Sequence, residues 1–162
     1  MKITRVCLTL GLCVVALLAQ VQCQGRKAGL WEITTTMSLS GMRNMPNMGP
    51  YGPDTICVSQ AMIDKYGGPY VNSQQGQCAL TSVVLTAGGM TAKLTCPQNS
   101  LTVGTVQTTF VDANTTKTTI QMTTYYPIDH NEAPLNTTIQ TTATYKGSDC
   151  GSVKPLAMPA SQ

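Results

Sequence analysis

The chain has 162 residues, 10 Lys/Arg against 7 Asp/Glu for a formal charge of +3, and only 10% charged residues, where ordinary globular proteins carry about 25%. Threonine occurs 25 times while Phe and Trp occur once each, so the core must be aliphatic and modest. The basic residues from Arg43 onward stand one at a time, which argues against the clustered Lys/Arg of a nucleic-acid or anionic-membrane binder.

Lys2 and Arg5 flank the start of a 13-residue apolar run, Val6 to Leu18. This is the pattern of a secretory signal; a membrane span needs about 20 apolar residues. Cleavage is expected before Gln24, with Val21 and Cys23 as the small residues of the site, so residues 1–23 form the signal peptide. Lipid attachment at Cys23 is the alternative, disfavoured because Val21 and Gln22 precede that cysteine instead of a run of small residues. The remaining 139 residues carry eight Lys/Arg against seven Asp/Glu, a charge of +1. They fit one domain over residues 24–155, followed by a disordered tail over 156–162. The expected location is the periplasm or the cell exterior.

Residues 31–39 alternate strictly, with Trp31, Ile33, Met37 and Leu39 on one face, and read as a half-buried strand. Gly41 to Asp54 (GMRNMPNMGPYGPD) is rich in Gly, Pro, Asn and Met and reads as a loop or excursion, not a strand. Val58 to Tyr66 is the helical stretch, with Ser59 as cap and Gly67-Gly68-Pro69 as stop. Residues 78–86 and 90–96 flank Ala87-Gly88-Gly89 as a hairpin. Pairing Val84 with Met90 sets Leu80 opposite Leu94 and Cys78 opposite Cys96 on one face. From Leu101 to Val111 the apolar residues switch from odd positions (Leu101, Val103) to even ones (Val106, Phe110), which predicts a bulge or bend at Gly104. Residues 119–126 alternate with Ile120, Met122 and Tyr126 in phase, and residues 137–145 with Ile139, Ala143 and Tyr145. Pro127 to Pro134 connects them. Threonine is expected on the outer face throughout, where its β-branched side chain stiffens the strand and its hydroxyl stays wet. The fold class is mainly β: a single antiparallel curved sheet or partial barrel, a meander of about six strands with one short helix and two disulfides.

Cys7, Cys13 and Cys23 belong to the signal, which leaves Cys57, Cys78, Cys96 and Cys150. An even number in an exported chain implies disulfides, and four cysteines admit three pairings. The hairpin register selects Cys78 with Cys96, and elimination then gives Cys57 with Cys150. The longer loop closed by the second bridge is expected to stabilise by about 4 kcal/mol against about 3 kcal/mol for the first.

Several features taken in order resemble a family of small secreted bacterial proteins, domain of unknown function 3617. They are Gly29-Leu30-Trp31-Glu32-Ile33, the Met/Gly/Pro-rich stretch Gly41 to Met48, Ile56-Cys57-Val58 before a short helix, Cys78, Cys96, and Gly147-Ser148-Asp149-Cys150. The resemblance spans the mature chain and implies export; it assigns no activity and no active-site residue. Gly151 to Gln162 extends past the family pattern.

Two constellations bear on chemistry. Met37, Met42, Met45 and Met48 fall within 12 residues, and thioether sulfur favours copper(I). The competing reading is that Met37 is core and the others fill gaps where a loop packs on the sheet. His130, the single histidine, sits with Asp129 and Glu132 in the Pro127 to Pro134 connection, where a solvated turn is the simpler reading, because zinc sites gather three or four ligands. The chain has no G-x-S-x-G elbow, phosphate-cradling glycine loop or free Cys/His pair. The sequons at Asn114 and Asn136 matter only in a eukaryotic secretory route. Trp31, Tyr51, Tyr66, Tyr70, Tyr125, Tyr126 and Tyr145 are candidates to line a cavity for a small apolar ligand if the sheet closes. The reading that follows is an exported, non-catalytic binding or envelope protein without a cofactor and of unknown partner. Copper(I) binding by Met37, Met42, Met45 and Met48 is the alternative.

Overall fold

The computed structural model describes residues 26–40, 48–70, 78–97, 101–125 and 133–158. The signal segment, Cys23, Met42, Met45, Tyr126, Asp129, His130 and Glu132 lie outside them. The described residues form β1 (Gly29–Ser40), β2 (Met48–Val58), α1 (Gln60–Tyr66), β3 (Ala79–Leu85), β4 (Gly89–Pro97), β5 (Leu101–Phe110), β6 (Thr115–Tyr125) and β7 (Leu135–Gly147). All seven strands join one antiparallel sheet in the order β2-β1-β7-β6-β5-β4-β3. The sheet is open, since β2 and β3 are its two edges.

The additional strand is β2, whose first half was expected as loop. Gly49-Pro50 and Gly52-Pro53 each add one residue relative to β1, so that Ile33 faces Asp54, Thr35 faces Tyr51 and Met37 faces Met48. Proline is tolerated because β2 is an edge and needs no donors on its open side. Gly52 has φ +100, and a Cβ there would lie 2.7 Å from the Ile33 carbonyl oxygen, so the bulge requires glycine.

β3 and β4 keep the register Leu80 to Leu94, yet Leu85, not Val84, pairs with Met90. A bulge at Ser82, which has φ +52, shifts the phase of everything after it and turns Val84 outward, 56% exposed. In β5 the expectation of a bulge also fails, because pairing with β4 and β6 runs without a shift from Leu101 to Phe110. Leu101 and Val103 are instead apolar residues on the outer face. Gly104 faces inward, and a Cβ there would collide with the Gln121 carbonyl oxygen of β6.

One face of the sheet is buried. Trp31, Ile33, Met90, Ala92, Leu94, Val106, Ile120, Ile139 and Ala143 form the core with Met62, Ile63 and Tyr66 of α1 and with Tyr70. Ser59 Oγ accepts from Met62 N at 3.3 Å, and Gly67 (φ +73) ends the helix by donating its N–H to the Ile63 carbonyl. Trp31 is fully buried, packs edge-on against Tyr145 with centroids 5.6 Å apart, and donates its indole N–H to the Lys27 carbonyl. The Arg26 guanidinium stacks 3.4 Å over the Phe110 ring.

Threonine is not confined to the outer face. Thr102, Thr108, Thr116, Thr118 and Thr137 are buried. Register places Thr108, Thr118, Thr141 and Thr35 in one inward row across β5, β6, β7 and β1. Two hydroxyl pairs satisfy that row, Thr108 with Thr118 at 2.9 Å and Thr35 with Thr141 at 3.2 Å, so a polar stripe is buried with its hydrogen bonds made.

Cys57 is bonded to Cys150 and Cys78 to Cys96, closing separations of 93 and 18 residues with Cα atoms 5.5 and 4.0 Å apart. Beyond Cys150 the chain returns along β2. Pro155 bridges Cys57 in parallel, Leu156 N donates to the Cys57 carbonyl at 2.9 Å, and Leu156 packs on the core. The disulfide holds this strap against an edge whose carbonyl would otherwise lack a partner. Among the described residues no helix is long and apolar enough to cross a membrane.

Candidate functional site

On the inner face, one small space lies against the aromatic side chain of Tyr70. Beside Tyr70 and Pro69, over Thr118 and Thr141, the free space is about 10 Å³, near the size of one water molecule. Trp31, Tyr66, Tyr70 and Tyr145 pack on one another or on the sheet, while Tyr51 and Tyr125 are about half exposed. Burial, with a smaller contribution from Tyr66, pushes the Tyr70 phenol up to about 12. This is the electrostatics of a packed hydroxyl held neutral.

Met37 and Met48 are register partners across β1 and β2, so the structure brings two of the four sulfur-bearing residues face to face. Met37 belongs to the margin of the core. Among the described residues no three His, Cys, Asp or Glu side chains converge as a metal site.

Among the described residues, a wide open groove of about 560 Å³ crosses β4 to β7 on the outer face, a volume within the usual range for small-molecule sites. Alternation places odd residues of β4, β5 and β6 and even residues of β7 on this face. Register then assembles two rows from positions far apart in sequence. Lys93, Thr105, Gln121 and Thr138 form one, and Thr95, Val103, Thr123 and Asn136 form the next. Beyond them Leu101 faces Tyr125. Leu101, Val103 and Tyr125 are 51%, 36% and 47% exposed; Val103 lines the groove, and Leu101 and Tyr125 stand on the same face one row beyond it.

One side chain in the groove is oriented by a neighbour. Thr123 donates its hydroxyl to Asn136 Oδ1 at 2.8 Å, which turns the Asn136 amide nitrogen, a two-proton donor, away from that bond. Gln121, Thr105 and Thr138 add amide and hydroxyl groups, and Lys93 is the cation of the lining. Apart from Asn136, noted only as a sequon, none of these residues stood out in the sequence. The signal that finds them is the chain of registers that starts from the Leu80–Leu94 hairpin and passes through Thr105 and Gln121.

No curated protein and no solved structure matches the chain. Residues 26–150 match the model of a family described as "Protein of unknown function (DUF3617)". With the match covering the sheet, the helix and all four bonded cysteines, this chain belongs to that family.

Proposed function

We propose that the protein is an exported, non-catalytic binding domain of the periplasm or the cell exterior, and that it holds its ligand in the outer-face groove. The observation that carries this is the groove itself: strands present amides, hydroxyls and one ammonium around an open space, with the Tyr125 ring one row beyond it on the same face. The inner face is committed to packing. The two disulfides favour an oxidising compartment, and the Lys2 to Leu18 pattern supplies a route to it. Intact mass and non-reducing peptide mapping of protein recovered from its own host test the export half. A start at Gln24 with both bridges formed is expected. Lipid on Cys23 would make it a membrane-anchored protein, and free thiols among the four would contradict the stapled scaffold.

A second reading, copper(I) binding, is favoured by the apposition of Met37 and Met48. If a Met42, Met45 and Met48 triple Leu variant kept the wild-type affinity in a copper(I) competition, that reading would be wrong.

A further inference from the structure

We infer that the ligand of the outer groove is a segment of a linear β-linked pyranose chain, an inference that rests on the groove being a binding site. Such a chain offers two kinds of surface. Its ring faces are apolar C–H surfaces suited to stacking on an aromatic ring, and its edges carry hydroxyls that both donate and accept. The groove presents the complement in order. Tyr125, about half exposed and paired in register with Leu101, offers a ring on the same face one row beyond the lining, and an amphipathic ring of this kind binds through its face while keeping its hydroxyl wet. Asn136 one row inward and Gln121 two rows inward offer planar amides that donate and accept together.

The Thr123 hydroxyl fixes Asn136 before any ligand arrives, so little rotamer freedom is lost on binding. Thr105 and Thr138 supply short β-branched hydroxyls with few rotamers to freeze. The rows of Tyr125, of Thr123 with Asn136, and of Gln121 with Thr138 follow one another along the strands, which suits a chain more than a compact molecule. Among the described residues the groove's lining carries one cation and no carboxylate, which suits a neutral or weakly anionic polymer better than a strongly charged one.

The test is titration of the disulfide-bonded protein with tetramers of β-1,4-linked glucose and of β-1,4-linked N-acetylglucosamine, read by calorimetry. Saturable binding of either is expected, weakened by about tenfold or more in Asn136→Ala and in Tyr125→Ala. Thr123 is a positioning residue: Thr123→Val should weaken binding while Thr123→Ser, which keeps the hydroxyl, retains it. Unchanged thermal midpoints establish that these exposed variants fold. Failure of both tetramers to bind, or binding indifferent to Asn136 and Tyr125, overturns the glycan assignment. If the tetramers fail while a peptide from a random library binds and loses affinity in Asn136→Ala, the glycan assignment falls and the groove stands as a binding site.

Discussion

Thr108 and Thr109 are neighbours in β5 with opposite fates. Thr108 is buried and shares a hydrogen bond with Thr118, whereas Thr109 is exposed on the outer face. The same contrast runs across the whole sheet. On the inner face Thr108 pairs its hydroxyl with Thr118 and Thr35 with Thr141, next to Pro69 and Tyr70, and outward threonines decorate a face that opens into a groove. A threonine side chain therefore does two jobs here according to strand parity. It fills the core as a Val-sized body, its hydroxyl paired as in Thr108 and Thr118, or it presents that hydroxyl on the outer face.

The largest expected effect comes from emptying the inner face. Trp31→Ala removes the largest fully buried side chain and should cost about 3 to 5 kcal/mol in denaturant unfolding. A loss under about 1 kcal/mol would mean that the inner face is not the core.

Next in size is a pH effect at Tyr70. Its phenol stays protonated in the folded state to about pH 12 but ionises near its ordinary value of 10.0 when unfolded. The folded state then binds more protons than the unfolded state between those values, so stability is full below pH 10 and falls as pH rises to 12. The loss should be about 2 kcal/mol, and Tyr70→Phe should abolish that part of the alkaline slope. An identical slope in wild type and variant would place Tyr70 in water.

Three threonine substitutions sharpen the contrast further. Thr118→Val strands the Thr108 hydroxyl and should cost about 1 to 2 kcal/mol, most of which returns in the Thr108→Val/Thr118→Val double variant. Thr116 is equally buried but its Oγ1 has no partner among the described residues, so Thr116→Val should stabilise by about 1 kcal/mol. Thr109→Val, on the outer face, should change stability by less than about 0.5 kcal/mol. Chemical denaturation of this series ranks inward-bonded, inward-unbonded and outward threonines; equal effects would erase the distinction.

Alternation made much of the scaffold readable. The phase of β1, β6 and β7, the Ser59 cap of α1 and the Leu80–Leu94 register follow from side-chain periodicity, which is local. What escaped was set by backbone events that periodicity cannot show. The Gly-Pro bulges hide a strand in Met48 to Asp54, and the Ser82 bulge moves Val84 from the core to the surface. Leu101 and Val103 mimic a phase switch because they are apolar on the wet face. The inward threonines escaped for another reason: their hydroxyls are paired across strands, and a partner 106 residues away, as Thr141 is for Thr35, leaves no mark in local sequence. The groove is less legible still, since Lys93, Gln121 and Asn136 come together only through three successive registers.

The central claim is that one face of this sheet packs and the other binds. Threonine-methyl NMR during titration with the β-1,4-linked tetramers addresses it directly, because threonine populates both faces. The expected result is that the methyls of Thr105, Thr123 and Thr138 shift saturably while those of Thr35, Thr108, Thr118 and Thr141 stay fixed. Shifts centred on the inward four, or no shift at any threonine, would contradict it.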